Sequence, residues 1–135
     1  GIPRQLAREN KKFKYSEIEK KATSRKFRDS VQWLNDANMA YICYNVSLPI
    51  LPLNAYEKEN EFKLYIADTG LLLALFGFES KQALFNGNLT GFAKRGIFEN
   101  FIAETLVKNG YKLHYYRCIV HARTQYFNTI LYKIY

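Results

Sequence analysis

Asp68, Glu99 and Glu104 are the carboxylates whose positions call for a test of metal chemistry. A metal-dependent nuclease needs two or three carboxylates that converge on Mg²⁺, together with a lysine that polarises a water molecule. Glu99 and Glu104 are five residues apart on a predicted helix, so their side chains point about 140° from each other and cannot share a metal ion. Asp68 precedes a predicted helix, where an N-cap or turn role is expected. We therefore predict no catalytic residues and no metal site, and we expect Glu99 to be a hydrogen-bonded structural acid.

Histidine and cysteine add little further chemistry. His114 lies in a predicted strand and His121 in the C-terminal tail, and neither has a Cys or Ser at a spacing typical of a catalytic pair, so both are predicted to be structural or surface residues. Cys43 and Cys118 form no CxxC pair and are far apart in sequence, which argues against a disulfide framework or a zinc site. Two isolated cysteines are typical of a reducing cytoplasm, which is the location we expect.

Basic side chains are the strongest functional candidates in the sequence. The formal net charge is +8, and residues 1–30 hold ten Lys/Arg against four Asp/Glu, whereas residues 31–80 hold two against six. Such a block predicts attraction to phosphate or to an acidic partner. Two alternatives remain, a solvated helical face and a face that docks onto another domain. The nucleic-acid-binding candidates are Arg4, Arg8, Lys11, Lys12, Lys14, Arg25, Lys26 and Arg28.

Short helices are predicted at the start of the chain. Ser16 and Glu19 form an S-x-x-E capping box, which predicts a helix that begins at Ser16. A further helix is predicted over residues 24–37, because Val31 and Leu34 belong to a 3.6-residue apolar period and serine precedes it.

Two strands follow these helices. Residues 40–46 are rich in Tyr, Ile, Cys and Val and predict a strand, residues 49–61 predict a polar loop, and residues 62–67 predict a second strand. Helices followed by a two-stranded hairpin are typical of a winged helix, in which the third helix and the hairpin loop can face a duplex. Residues 1–69 therefore predict a winged-helix-like domain.

The second part of the chain, residues 70–135, predicts helices followed by strands. A short helix is expected over residues 71–76 and a long one over residues 91–108, with strands over residues 112–116 and 125–135. The large apolar residues of the long helix fall on one side, at Phe98, Phe101, Ile102 and Leu106. Tyr and Phe residues occur at core spacing or in strands, so core packing is predicted rather than base stacking. The fold class expected for the whole chain is α+β.

Three segments resemble a known family. They are IPRQLARENKKFKYSEIEK at residues 2–20, the run from WLNDANMAY to ADTGLL at residues 33–72, and GIFENFIAETLVKNGYKLHYYR at residues 96–117. Their order and spacing resemble the domain of unknown function that follows the ATPase core in a family of prokaryotic AAA+-like ATPases. The resemblance implies an upstream ATPase core that holds ATP and Mg²⁺, a winged helix, and an incomplete PD-(D/E)xK nuclease-like part in which Glu99 is a relic of the first acidic motif.

The departures from that family shape the functional expectation. The chain has no G-x-x-x-x-G-K-[ST], no acidic residue after Glu104, and an atypical tail over residues 118–135. It starts at Gly1, and its single methionine is Met39, which predicts a fragment of a larger protein. We therefore expect no enzyme and no cofactor in the fragment itself. The expected function is a non-catalytic module that binds DNA or a partner, or regulates the ATPase; the alternative is a degenerate or truncated metal-dependent nuclease.

The expected partners follow from these features. They are the missing ATPase core and double-stranded DNA. No membrane partner is expected, because the longest apolar stretch, residues 71–78, is too short to span a bilayer. The tail over residues 118–135 is apolar and β-prone, which predicts self-association by edge pairing or strand exchange, with completion of a small intramolecular sheet as the alternative.

Overall fold

The computed structural model describes residues 24–89, 91–120 and 124–133. The helices are α1 Ser24–Asp36, α2 Thr69–Leu75, α3 Phe78–Phe85 and α4 Gly91–Lys108. The strands are β1 Ala40–Val46, β2 Glu57–Ile66, β3 Tyr111–Val120 and β4 Thr124–Lys133, and a short 3₁₀ helix spans Leu53–Tyr56. Several predicted features lie outside the described residues, namely the helix at Ser16, His121 and the candidates Arg4, Arg8, Lys11, Lys12 and Lys14.

The four strands form one mixed sheet in the order β2-β1-β3-β4. β1 is antiparallel to β2, β3 is antiparallel to β4, and β1 runs parallel to β3 from Tyr44↔His114 to Val46↔Tyr116. The α+β class is thus confirmed. Strands from before and after Gly70 share this sheet, so the two predicted parts are connected through its centre as well as by the chain.

Helix α1 covers one face of the sheet. Val31 is buried against Ala40, Phe62 and Leu64, as the apolar period of the helix predicts. The helix ends at Asp36, and Asn38 follows with φ of 53°, a left-handed conformation that Asn adopts more readily than most residues. The predicted end of this helix, at residue 37, is confirmed to within one residue.

The prediction of a polar loop over residues 49–61 is wrong at its C-terminal end. Strand β2 begins at Glu57, which pairs with Val46, and Lys58 pairs with Asn45. The register shifts between Tyr44 and Asn45, so the charged run forms an irregular, bulged stretch of an edge strand. Charged residues are tolerated there because one side of an edge strand faces water, a context that local polarity does not reveal.

Helix α4 covers the other face, but of the four large apolar residues predicted to share its inner side, Leu106 packs against the buried core and the other three are at least half exposed. Phe98, Phe101 and Ile102 are 50%, 56% and 56% exposed, whereas Ile97 and Ala103 are buried. The inner side of the helix also carries Glu99, Asn100 and Glu104, which bond to β2 and to the start of α2. The prediction that Tyr and Phe residues pack in the core is also wrong for Phe78 and Phe85 of α3, which are largely exposed. The same prediction is correct for Phe62, Tyr65 and Tyr115, which are buried.

Helix α3 was not predicted from the sequence. Gly77 separates it from α2 with φ of 87°, a backbone conformation that a side chain would strain, and so permits two short helices in succession. None of the described helices is both long enough and apolar enough to cross a membrane.

Candidate functional site

A set of interacting side chains between α4 and the sheet is here called the Lys63 cluster. It comprises Lys63 and Tyr65 on β2, Cys43 on β1, Tyr115 on β3 and Glu99 on α4. Side chains two apart on a strand share a face, which brings Lys63 and Tyr65 to the same side of the sheet. Cys43 pairs with Lys63 across the β1–β2 ladder, so three strands and one helix contribute to the cluster.

Lys63 is a nearly buried cation that Glu99 neutralises. Its side chain is 6% exposed, and its Nζ donates to Glu99 Oε1 at 2.8 Å. The same Nζ lies 5.3 Å from the centroid of the Tyr115 ring, within the range of a cation–π interaction. A charge this deeply buried requires a counter-charge, and the Glu99 carboxylate supplies one.

The hydroxyl of Tyr65 donates to the same oxygen, Glu99 Oε1, at 2.7 Å. Burial raises the pKa of Tyr65 well above its usual range, and the adjacent Glu99 charge raises it further. Burial likewise raises the pKa of Tyr115, with Glu61 as a second cause. Both phenols therefore remain protonated donors at neutral pH, and neither is poised as a general base.

Cys43 is a deeply buried member of the cluster, and its burial argues against a role as a nucleophile. Burial raises the pKa of its thiol to about 12; Lys63 opposes this shift and Glu99 adds to it. A reactive thiol needs a lowered pKa and access to solvent, and Cys43 has neither. The expectation of a buried thiol is confirmed for Cys43, whereas the side chain of Cys118 lies outside the described part.

Asn100 and Glu104 attach α4 to the junction between β2 and α2. The Asn100 side chain accepts from Ile66 N at 2.7 Å and donates to Ile66 O at 2.9 Å, and its Nδ2 also lies 2.9 Å from Thr69 Oγ1. Glu104 accepts from Thr69 N at 2.9 Å and from Thr69 Oγ1 at 2.6 Å. These bonds give hydrogen-bond partners to the backbone of Ile66 and to the backbone and hydroxyl of Thr69, at the point where β2 ends.

The pKa of Glu104 is lowered from its ordinary value by these contacts. Partial burial raises it, but hydrogen bonds from Lys108 and from Thr69 outweigh that effect and hold the carboxyl ionised. Lys108 also forms an ion pair with Glu104 one helical turn away. Glu99 and Glu104 therefore serve different neighbours, as their five-residue spacing predicts.

The remaining acid of the predicted set, Asp68, caps a helix. Its side chain accepts from Leu71 N at 2.9 Å at the N-terminus of α2. The N-cap prediction is confirmed. Within residues 24–89, 91–120 and 124–133, no group of three or more His, Cys, Asp or Glu could hold a metal ion.

His114 lies on the opposite, α1 face of the sheet and is fully buried. Its Nε2 lies 2.6 Å from Glu57 Oε1, and Lys112 Nζ approaches the same oxygen at 3.3 Å. Glu57 thus spans β1 to reach two side chains of β3. The structural role predicted for His114 is confirmed.

Sequence reasoning missed Lys63 and Asn100 as key residues. A lysine in a β-prone run resembles the solvent-facing member of an alternating strand, and a lone asparagine in a helix carries no signal. The available signal was that both residues belong to motifs of the family resemblance. In the structure, residues of KLYIADT at 63–69 bond to Glu99, Asn100 and Glu104. The segments that define the resemblance hold each other in place.

A family model for a domain of unknown function, DUF8612, matches residues 2–82, more than half of the chain. The chain belongs to the DUF8612 family. Comparisons with curated proteins and with solved structures give no match. The DUF8612 match includes Lys63, Tyr65 and Thr69 but ends before α4 begins. In this chain, the buried lysine of the DUF8612 segment therefore bonds to a carboxylate from outside the matched region, Glu99.

The nucleic-acid-binding candidates that the structure describes belong to the DUF8612 segment and start helix α1. Arg25 and Lys26 lie in its first turn, and the structure does not describe their side chains. Arg28 donates to Glu59 Oε2 at 3.2 Å and to Asn60 Oδ1 at 3.1 Å on the bulged part of β2. This arginine is exposed and holds the helix to the strand, so its guanidinium is already engaged by a carboxylate.

Proposed function

We propose that this DUF8612 chain is a non-catalytic binding and regulatory module of an AAA+-like ATPase, built from a winged-helix-like part and an incomplete nuclease-like part. One observation carries the non-catalytic proposal. Asp68, Glu99 and Glu104, the acids that the resemblance offers for a metal site, each bond to a different structural neighbour. A nuclease requires such carboxylates to converge on one ion. The ATPase parentage rests on the family resemblance, and ATP and Mg²⁺ would bind in the ATPase core.

A protein partner is better supported than DNA for the face that α1 and β2 form. The β2 side of this face carries Glu57 and Glu59. Burial is the main cause that raises the pKa of Tyr44, and the negative charges of Glu57 and Glu59 raise it further. Negative charge close to α1 repels a phosphate backbone, and Arg28 is paired with Glu59. Among the predicted candidates, DNA contacts would then come from residues 1–26 rather than from Arg28.

The exposed side of α4 offers a surface suited to a protein. Phe98, Phe101 and Ile102 follow the i, i+3, i+4 spacing that places side chains in one row along a helix, and each is at least half exposed. Isolated exposed apolar residues are normal on a protein surface, but three large ones in a row form a patch typical of docking surfaces. The ATPase core that the resemblance implies is the occupant that we propose for this row.

The first test concerns the parent polypeptide. The reading frame upstream of Gly1 is expected to encode G-x-x-x-x-G-K-[ST], and Phe98→Ser with Phe101→Ser is expected to change the ATP turnover of the parent at least about threefold, with nucleotide affinity unchanged. Phe85→Ser, also an exposed phenylalanine, is the matched control. An upstream frame without a P-loop contradicts the proposal, as does turnover that does not respond to the α4 row.

The second test separates DNA from protein binding. Anisotropy of a labelled duplex is titrated with the chain at several salt concentrations. If phosphate contacts carry affinity, binding falls steeply as salt rises, and Arg25→Ala with Lys26→Ala weakens it more than Arg28→Ala. Undetectable binding at low salt removes DNA and leaves the protein partner. Mg²⁺-dependent cleavage of the duplex that disappears in Glu99→Ala would instead support the nuclease alternative.

A further inference from the structure

The two edges of the sheet differ in how they are protected from pairing with another strand. An edge strand presents unpaired backbone N–H and C=O groups, which natural proteins guard with charges, bulges or short length. The β2 edge has such protection, because Glu57, Glu59 and Glu61 lie on it and its register against β1 shifts. β4 lies at the opposite edge of the sheet formed by the described strands.

The β4 edge carries none of these protective features in its sequence or backbone. It is ten residues long and pairs with β3 without a register shift, from Tyr111↔Lys133 to Val120↔Thr124. The strand contains no proline, no glycine and no charged residue other than Lys133. Its composition is strongly β-prone, with two apolar or aromatic runs, Tyr126-Phe127 and Ile130-Leu131-Tyr132. A long, regular, uncharged edge is a template for a further strand.

The sequence of β4 is complementary to itself when it is read in the opposite direction. The two-fold axis of an antiparallel pair passes through one residue position, and an axis through Asn128 places Tyr126 opposite Ile130 and Phe127 opposite Thr129, so that aromatic residues meet β-branched ones. The same register leaves Lys133 at the end of the paired segment, so the two lysines lie at opposite ends of the ribbon. Pairing of this kind forms a closed, isologous interface, because each copy contributes the same β4 edge.

We propose that two copies of this chain join edge to edge through antiparallel β4 strands, so that their sheets form one continuous sheet in a two-fold dimer. Each copy carries a net charge of +8, so electrostatic repulsion opposes association at long range. Added salt screens that repulsion and strengthens the dimer, in contrast to an interface held by ion pairs. The dimer does not depend on the ATPase parentage or on any catalytic role.

The test measures mass and backbone protection together. Sedimentation equilibrium of the full chain is expected to show a monomer–dimer equilibrium that shifts toward dimer as salt rises. Hydrogen exchange is expected to protect the β4 amides more at high protein concentration, with the Ile66 amide unchanged. Asn128→Lys brings like charges together at the two-fold axis, and we expect the dissociation constant to rise by at least about tenfold.

Matched variants keep the outcome interpretable. Gln82→Lys adds the same charge on exposed α3 and is expected to change the dissociation constant far less than Asn128→Lys does. Ile66 protection that persists in Asn128→Lys shows that the sheet still folds. A chain that stays monomeric at high salt with unprotected β4 amides overturns the proposal. So does an open-ended aggregate, or a dimer that Asn128→Lys leaves intact, which would point to the α4 row instead.

Discussion

Lys63 Nζ on strand β2 lies 2.8 Å from Glu99 Oε1 on helix α4, and this ion pair joins a strand within the DUF8612 match to a helix beyond it. Lys63 is nearly buried, whereas the Glu99 side chain keeps 26% of its surface exposed. The lysine therefore bears most of the desolvation cost, and the carboxylate offsets it from the solvent side of the cluster.

Replacement of Glu99 by Gln is expected to destabilise the fold. The change removes the carboxylate that bonds to the Lys63 ammonium and weakens the bond from Tyr65, so the free energy of unfolding should fall by about 2 kcal/mol. Urea denaturation followed by circular dichroism measures it. Glu79→Gln on exposed α3 is the control and should change stability by less than about 0.5 kcal/mol.

We expect the Glu99→Gln and Lys63→Met substitutions together to cost less stability than the sum of their separate costs. Lys63→Met removes the buried charge, so adding Glu99→Gln should then cost at least about 1 kcal/mol less than it does in the wild type. A double-mutant cycle from urea titrations gives this number. If the effects of the two substitutions on stability are strictly additive, Glu99 does not neutralise Lys63 and stabilises the fold only through its bond with Tyr65.

Glu104 is expected to contribute to acid sensitivity. Because its folded-state pKa is lower than the ordinary value of 4.5, its contribution to stability is present above pH 4.5 and is lost as pH falls through the folded-state pKa. The stability difference between wild type and Glu104→Gln should therefore be constant near neutrality and shrink below pH 4.5. Thermal unfolding at pH 3 to 7 measures it, and a difference that grows on acidification contradicts the assignment.

Asn100→Ala is expected to loosen the end of β2. The variant removes both bonds to the Ile66 backbone and the contact with Thr69, which should cost about 2 to 3 kcal/mol because buried groups lose their partners. Native-state hydrogen exchange should show faster exchange at the Ile66 amide than at residues 40–44. Uniform acceleration across the sheet would instead indicate global destabilisation without a local role.

Cys43 is expected to resist thiol reagents until the chain unfolds. Its thiol is buried and its pKa is about 12, so almost no thiolate exists at pH 8. In a Cys118→Ser background, the labelling rate at pH 8 should follow the fraction unfolded in urea, with the denatured chain as the positive control. Rapid labelling without denaturant would show that α4 opens locally above Cys43.

Local patterns located most of the elements because their signals are short-range. The apolar period around Val31 predicted α1, and β-branched and aromatic runs predicted the strands, although β3 and β2 extend further than expected. The capping role of Asp68 followed from its position before a helix. These features depend on neighbours within one or two turns, which a single sequence displays directly.

The features that could not be predicted depend on contacts between distant segments. The orientation of α4 is one case, because Phe98 and Phe101 form a convincing apolar side, and the choice of Ile97 and Ala103 as the inner side depends on what β2 presents to them. The burial of Lys63 is another, because it requires an acceptor on α4. Neither relationship has a local signature in the sequence, because each depends on which strands lie beneath α4.

The parallel pairing of β1 with β3 affects what happens while the chain is being synthesised. A ribosome releases the β1–β2 hairpin first, and α2, α3 and α4 must follow before β3 emerges to complete the centre of the sheet. During that delay the Glu99 side of the ion pair is missing, and we expect water to hydrate the Lys63 ammonium on the uncovered face. A hydrated ammonium there reduces the apolar surface that an incomplete sheet offers to other chains. We therefore expect the buried charge of the finished core to lower the tendency of the incomplete chain to aggregate.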